Sequence, residues 1–569
     1  QKRSGRKYPL LHGRKYPYEL PITVLPEGGI YERTDNKMLG YDFRADLSWN
    51  QVFNDTHIVN FYGGMLLQST ERQKNWHRGW GRQYSMGDVA FYAYEVFKRG
   101  LEENTPYYTV ENTRTRIAAF FGTATYSYKS RYTINGTVRY EGTNKLGKSR
   151  SARWLPTWNV AGSWNMHEEE FFKTLEPALS HFTLRASYSL TADSGPSNVT
   201  NSMAVFKSKN PWRPETSAQE SALELYDIEN SELTYEKKHE LNIGADMGFI
   251  NDRINLGIDV YKRNNYDLIG KTTTMGVGGV VDKMANVAEM KAHGVEVSLS
   301  TTNINLKNFR WTTDFIFSYT KNEITKMNSS KRAIDMITGN GFGLQGYPVR
   351  CLFSIPFRGL NEDGLPMFLN EKKEITVSDI NFQESNDISF LKYEGPSEPT
   401  VTGSFGNTFS YKGLKLNVFM TYSFGNKLRL DPVFKYSYSD LDAMPKEFKN
   451  RWMIPGDERY THVPVISSKR QHNKNGSLSY AYNAYNNSDV RVADGGFIRM
   501  KEISLSYDFP KKLITKIGFN SLSMKLQGTN LFLIYADDKL NGQDPEFFRS
   551  GGVAAPVPKQ FTFTLRLGL

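Results

Sequence analysis

The sequence predicts an all-β fold, a transmembrane antiparallel β-barrel of which this chain supplies about sixteen strands. Three observations carry that prediction. Apolar and polar residues alternate with a period of two along most of the 569-residue chain. No stretch approaches the run of about 18 apolar residues that a membrane helix needs, and "LFLIYA" (Leu531 to Ala536) is among the longest apolar runs. Connections between the alternating segments are very short in some places and long and polar in others.

In chain order, "YDFRADLSW" sets Tyr41, Phe43, Ala45, Leu47 and Trp49 against Asp42, Arg44, Asp46 and Ser48. "YTINGTVRY" puts Tyr132, Ile134, Val138 and Tyr140 on one face and Thr133, Asn135, Thr137 and Arg139 on the other. "FTLRASYSL" continues with Phe182, Leu184, Ala186, Tyr188 and Leu190, then "ELNIGADM" and "RINLGIDV" repeat the pattern through Met247 and Val260. "WTTDFIFSY", "LKLNVFMTY", "EISLSYDF" and "LSMKLQG" extend it, and the chain ends on Phe561, Phe563, Leu565, Leu567 and Leu569 alternating with Thr562, Thr564, Arg566 and Gly568. Side chains on a strand alternate faces, so each segment has one apolar and one polar side. Chain ends fray unless something ties them down. A closed barrel does so by pairing the last strand with the first, which leaves no open edge.

The polar sides carry Arg44, Asp46, Arg139, Arg185, Asp246, Asp259, Asp314 and Lys415, charges that a packed core could not hold unpaired. They fit a wet lumen whose opposite face meets lipid, and they also fit the solvent face of a soluble sandwich. Connections distinguish the two. "FINDR" and "YKGL" are tight turns, whereas the chain near 68–115, 193–236, 325–396 and 425–495 reads as long loops. Short turns on one side and long extracellular loops on the other belong to outer-membrane barrels, and soluble domains rarely carry several loops of that length. Aromatics near strand ends (Tyr41 and Trp49, Tyr132 and Tyr140, Trp311 and Tyr319) suit an interfacial girdle. The whole chain, 1–569, therefore reads as one barrel unit.

Composition agrees: 14% aromatic, with 33 Tyr and 35 Phe, at a mean hydropathy of -0.54. A net charge of +11 is spread among 60 acidic residues with no basic helix and no zinc spacing, which argues against nucleic acid. The excess suits lipopolysaccharide phosphates, anionic substrates or nothing in particular. Cys351 excludes an internal disulfide and, within the apolar "YPVRCLFSIPF", reads as a small buried hydrophobe. "GFGLQG" (Gly341 to Gly346) spells a dinucleotide motif but runs into Tyr347-Pro348, which cannot open the required helix. "HEEEFF" lacks a second ligand His, and carboxylates in "NEDGLP" and "DLDAMP" read as turn chemistry before calcium. No catalytic residue, metal or cofactor is expected. The opening "QKRSGRKYPLLHGRKYPYELP", without Met and already polar, reads as a mature or cleaved chain.

Several stretches resemble the SusC/RagA family of TonB-dependent outer-membrane transporters of Bacteroidetes. They are "SRYTINGTVRYEGTNKLGKSRSARWLPTWNVAGSWNMHEEEFF", "LTYEKKHELNIGADMGFINDRINLGIDVYKRNNYDLI", "NVAEMKAHGVEVSLS" and "GYPVRCLFSIPFRGLNEDGLPMF", with "VADGGFIRMKEISLSYDFP" and "KLQGTNLFLIYADDKLNGQDPE" near the end. They run in family order from about residue 30 onward; His293 stands where Asn is usual and Cys351 where a small residue is common. The resemblance implies a barrel of about 22 strands closed by an N-terminal plug, with this chain as its C-terminal part and the plug and first strands outside it. It also implies import of oligosaccharides or oligopeptides across the outer membrane, a SusD-like surface lipoprotein as partner, and energy from TonB acting through the plug. The alternative is a soluble or surface-exposed β-rich glycan-binding protein or enzyme, which would need no detergent for extraction.

The candidate ligand or partner residues are Trp76, Arg78, Trp80, Arg82 and Tyr84 within "TERQKNWHRGWGRQY", together with Trp212 and Arg213 in "NPWRPE". Aromatic faces stack on sugar rings and peptide side chains, and Arg clamps carboxylates through two parallel bonds. The same residues could equally pack loop against loop.

Overall fold

The computed structural model describes residues 28–87, 106–195, 204–209 and 220–568, apart from 277–278, 280, 328–331, 339–342, 386, 440, 442–443, 445, 476–477, 516–517 and 549–556. Fifteen strands form one antiparallel sheet in which spatial order follows chain order. They are β1 (Gly29–Phe53), β2 (His57–Arg82), β3 (Tyr108–Tyr128), β4 (Tyr132–Thr143), β5 (Trp154–Asn165), β6 (Leu179–Asp193), β7 (Glu236–Phe249) and β8 (Ile254–Thr273). There follow β9 (Asp282–Asn305), β10 (Phe309–Met327), β11 (Val401–Tyr411), β12 (Leu414–Phe424), β13 (Phe497–Asp508), β14 (Ser521–Ala536) and β15 (Gln560–Gly568). The expected count of about sixteen is met by fifteen.

Most connections at one end of the sheet are tight, although 166–178 and 509–520 at that end carry short helices. Residues 54–56, 129–131, 250–253, 306–308 and 412–413 each reverse the chain. Lys412 and Gly413 both take positive φ, the twist that a two-residue hairpin turn needs. The longest connections all lie at the other end.

Alternation sorts the side chains as expected. Ile134 and Val138 on β4, Val160 on β5, Leu241 and Ile243 on β7, and Phe561, Phe563, Leu565 and Leu567 on β15 stand exposed on the apolar side. From Tyr132 to Tyr140 the apolar face of β4 spans about 26 Å along the strand at 3.3 Å per residue, and these residues alone approach the roughly 9–11 of a tilted membrane strand.

Three expectations need correction. The first concerns the stretch near 68–115: β2 runs on to Arg82 and β3 begins at Tyr108, so about half of it is ladder rather than loop. The pairing Thr34↔Trp76 and Trp76↔Thr109 continues far above a membrane crossing of about 10 residues. Both faces are wet there, so apolar alternation vanishes although the backbone ladder does not. Secondly, 325–396 and 425–495 are not plain polar loops. They fold together into a body with the largest core in the described structure, including Met336, Ile337, Cys351, Phe353, Ile355, Leu365, Phe368, Phe434, Phe448, Leu478, Tyr482 and Tyr485. Thirdly, β15 pairs with β14 and β1 with β2, but β15 and β1 do not pair with each other, so the described sheet is open at both edges. Within 193–236, Val205–Lys209 pairs antiparallel with Ala222–Asp227.

Candidate functional site

The polar face of the sheet is lined with charges that are met in pairs. Arg44 reaches Asp46 at 2.8 Å and Arg139 reaches Glu141 at 2.5 Å. Arg185 on β6 bridges Asp246 on β7 at 2.7 Å and Asp259 on β8 at 3.2 Å, joining three strands. Glu240 accepts from Arg263 at 2.8 Å and Lys238 at 2.9 Å. Ser300 donates to Asp314 at 2.7 Å. Between these groups lie Thr133, Asn135, Asn159, Ser163, Ser187 and Asn242, which line a recess of about 320 Å³ with Arg185. Such a surface offers many hydrogen bonds and little net field, so it can hold a polar ligand without trapping it.

Buried arginines tie the folded body together and fasten the β14–β15 connection to the wall. Arg429 donates to the carbonyl of Phe353 and, at 3.4 Å, to that of Ser488. Arg491 pairs with Glu447 at 2.6 Å and lies 4.9 Å from the Phe434 ring centroid. Arg499 on β13 pairs with Asp544 at 2.6 Å, both side chains being almost fully buried. Buried charges persist only when matched in this way.

One turn of the body is displayed. Asp457 accepts from the backbone of Met453 at 2.9 Å and Ile454 at 3.1 Å, while Glu458 accepts from Gly456 N at 2.8 Å and Trp452 Nε1 at 3.1 Å. Backbone hydrogen bonds, and next the Trp452 indole, hold the Glu458 carboxyl below its ordinary pKa. The turn so braced presents Met453 (61%), Ile454 (65%) and Tyr460 (90%) to solvent.

The predicted aromatic and Arg cluster is split. Trp76 and Arg78 lie on the polar face of β2, where Arg78 pairs with Glu32 at 2.5 Å and stands 5.2 Å from the Trp76 ring. A register shift between Gly29 and Tyr31 accompanies Gly81 at φ 76° and turns Arg82 over Tyr31, 4.6 Å away, on the side of His77. Trp80 falls at that shift, and Tyr84 is exposed in the short turn Tyr84–Met86. Trp212 and Arg213 lie outside the described residues, as do Gly341 and Phe342 of the dinucleotide-like motif.

Other sequence candidates resolve into structure. Asn361 accepts from the backbone of Asp363 at 3.1 Å and Leu365 at 2.8 Å, a turn rather than a cation loop. Glu169 of "HEEEFF" joins Arg131 at 2.9 Å and Tyr132 at 2.5 Å. Burial pushes the Cys351 thiol up to about 12, so no thiolate nucleophile forms near neutrality. Sequence reasoning missed the body. The signal was present in Leu478, Ala481, Tyr482 and Tyr485, whose helical spacing builds the buried face of Leu478–Asn486.

The family model for the β-barrel of TonB-dependent-receptor-like proteins matches residues 12–531. The chain belongs to that family. Its members are outer-membrane transporters and not enzymes. The chain is 24% identical to TonB-dependent receptor P39 of Formosa agariphila, over 91% of this chain and 51% of that protein. It is 25% identical to TonB-dependent receptor SusC of Bacteroides thetaiotaomicron, over 84% of this chain and 46% of that protein. It therefore spans about half the length of the curated relatives it matches. Its fold is similar to that in the structure of the RagAB peptide transporter, with a TM-score of 0.74 at 19% identity over 95% of this chain and 56% of that one. The soluble alternative is thereby set aside: the exposed apolar rows face outer-membrane lipid.

Proposed function

We propose that this chain forms most of the wall and the outer body of an importer that carries oligosaccharides or oligopeptides across the outer membrane. The observation that carries the reading is the charge-paired polar face, continuous from β1 to β14, backing a sheet whose other face is apolar. The tight turns face the periplasm and the long connections face outward, as such barrels are built. Further strands of the same transporter close the two open edges, because unpaired backbone groups are not tolerated in lipid. Energy comes from TonB acting through a plug.

The braced turn with Met453, Ile454 and Tyr460 docks a SusD-like surface lipoprotein, since rigid exposed apolar side chains are what a partner surface buries. Trp76, Arg78, Trp80, Arg82 and Tyr84, with Trp212 and Arg213, meet ligand or that lipoprotein above the bilayer. The luminal chemistry suits either ligand class. Co-purification of the intact protein in mild detergent, followed by mass spectrometry, tests the proposal. A surface lipoprotein and a bound glycan or peptide are expected, with the lipoprotein lost from an Ile454→Asp, Tyr460→Asp variant. Retention of the lipoprotein by that variant would refute the docking surface, and a barrel without lipoprotein or ligand would refute the import reading.

A further inference from the structure

We propose that the outward face of β1–β5 holds one phosphorylated, acylated glycolipid of the outer leaflet, a lipid A, in a built groove. Phe43, Leu67, Ala118, Gly142 and Trp154 are successive cross-strand partners and form one row across the five strands. Ala118 and Gly142 have almost no side chain, so the row dips between Leu67 and Trp154. Gly142 makes room for the indole: a Cβ there would lie 2.4 Å from Trp154 Cε2, and Trp154 stacks on Tyr140 at 5.0 Å. The groove so formed measures about 510 Å³.

The neighbouring rows give it polarity. The row toward the short turns is Ala45, Met65, Phe120, Tyr140 and Pro156, an apolar track for an acyl chain. On the other side the row is Tyr41, Ser69 and Arg116, with Asn144 bonded to the Arg116 backbone at 2.7 Å. Arg116 is exposed and has no carboxylate partner among the described residues, whereas Arg114 further up is paired with Glu71 at 2.6 Å. Arg153, anchored by Nε to the Gly147 carbonyl at 2.6 Å, adds a second guanidinium at the mouth. Asp42 also lines the groove, but alternation assigns its carboxylate to the opposite face.

The row sits ten residues from the short-turn ends of β1–β4, or about 33 Å along the strands, which a tilt near 45° reduces to roughly the height of the apolar band. The cations therefore meet headgroups while the dip lies in hydrocarbon. Bulk lipid needs only a flat apolar face. A depression with an unmatched cation at its mouth fits one fixed acyl chain bearing an anionic headgroup. The choice of lipid A over an inner-leaflet phospholipid rests on the outward orientation proposed above.

Native mass spectrometry of the intact transporter in mild detergent tests this, with titration by lipid A, by the same lipid enzymatically dephosphorylated, and by phosphatidylethanolamine. Lipid A is expected to bind about fivefold tighter or more than either of the others, the scale of one surface cation meeting an anionic lipid. Arg116→Gln should abolish that preference. Ala118→Leu, which fills the dip and leaves the charges alone, should weaken lipid A while the heat-modifiable gel mobility of the barrel is kept. Equal binding of lipid A and its dephosphorylated form, or an Arg116→Gln variant that retains the preference, overturns the proposal. A preference for phosphatidylethanolamine also overturns it, and labelling of Tyr460→Cys on intact cells by an impermeant maleimide then shows whether orientation itself was at fault.

Discussion

Asp544→Ala should release the connection between β14 and β15 without unfolding the wall. Asp544 Oδ1 and Oδ2 both accept from Arg499 Nη2, at 2.6 and 2.7 Å, and the two side chains are 6% and 5% exposed. Removing one partner of a buried pair costs about 3–5 kcal/mol because a desolvated charge is left behind. Glu546, 3.2 Å from the same guanidinium and half in solvent, takes up part of that charge and moves the cost to the low end. At about 1.4 kcal/mol per tenfold, local opening should rise at least about a hundredfold. Loss of the Asp544 cap on the Glu546 amide, 3.1 Å away, adds roughly 1 kcal/mol. Hydrogen exchange followed by mass spectrometry reads this directly. Peptides covering 537–548 should lose protection, and so should the Asp494 amide that Asp537 holds at 2.7 Å, while the β14–β15 ladder stays protected. A paired Arg499→Met, Asp544→Leu variant should regain most of the protection, since two apolar side chains replace a matched pair at little cost. Unchanged exchange in Asp544→Ala would refute the reasoning.

On β15, Phe563→Arg puts a cation toward lipid near mid-bilayer and should cost about 2–4 kcal/mol, whereas Thr564→Arg one residue away faces water and should be tolerated; outer-membrane abundance and heat-modifiable mobility distinguish them. Phe368→Ala, at a fully buried position of the body, should cost about 3–5 kcal/mol and melt the body before the sheet, read by calorimetry. Alkalinity should destabilise the body. Cys351 keeps its proton in the folded state up to about 12 against an ordinary 9.0, so the unfolded chain loses that proton first and stability falls as pH rises through this window. Tyr482 and Tyr485, also raised by burial, act in the same direction. Denaturant midpoints of Cys351→Ala should fall less steeply above pH 9 than those of the parent, and identical slopes would count against burial of the thiol.

What the sequence made legible was whatever touches the bilayer. The terminal strand Phe561 to Leu567 and the segments at Tyr132–Tyr140 and Tyr41–Trp49 each became strands with their apolar residues outward, because lipid on one side and water on the other impose a strict period of two. The upper part of β2 was illegible for the complementary reason. Gln73, Lys74, Asn75 and Trp76 have water on both sides, so nothing selects residue type by face while the backbone still pairs. The Trp76–Tyr84 candidates do not form one loop, since the register shift at Gly29–Tyr31 turns Arg82 away from Arg78. That shift depends on local backbone geometry and leaves no mark in hydropathy.

The body follows from the same constraint. A sheet with lipid on one face and a wet lumen on the other has no interior of its own, so the long strands of this chain hold together by ladder hydrogen bonds and cross-strand pairs, and few of their side chains are buried. Packed apolar clusters can form only where chain returns on chain outside the wall, in the connections. Two connections of about 70 residues each, separated in sequence by the β11–β12 hairpin, meet there: Phe353 and Phe368 come from one, Phe434, Tyr482 and Tyr485 from the other, and Arg429 reaches across to the carbonyl of Phe353. Their lengths are therefore a requirement of folding as well as of recognition. A short outer loop could present side chains to a partner but could not brace them, whereas the turn carrying Met453, Ile454 and Tyr460 stands on Trp452 and Phe448, both buried. Shortening either connection should thus cost the other its core, and with it the rigid surface above the lumen.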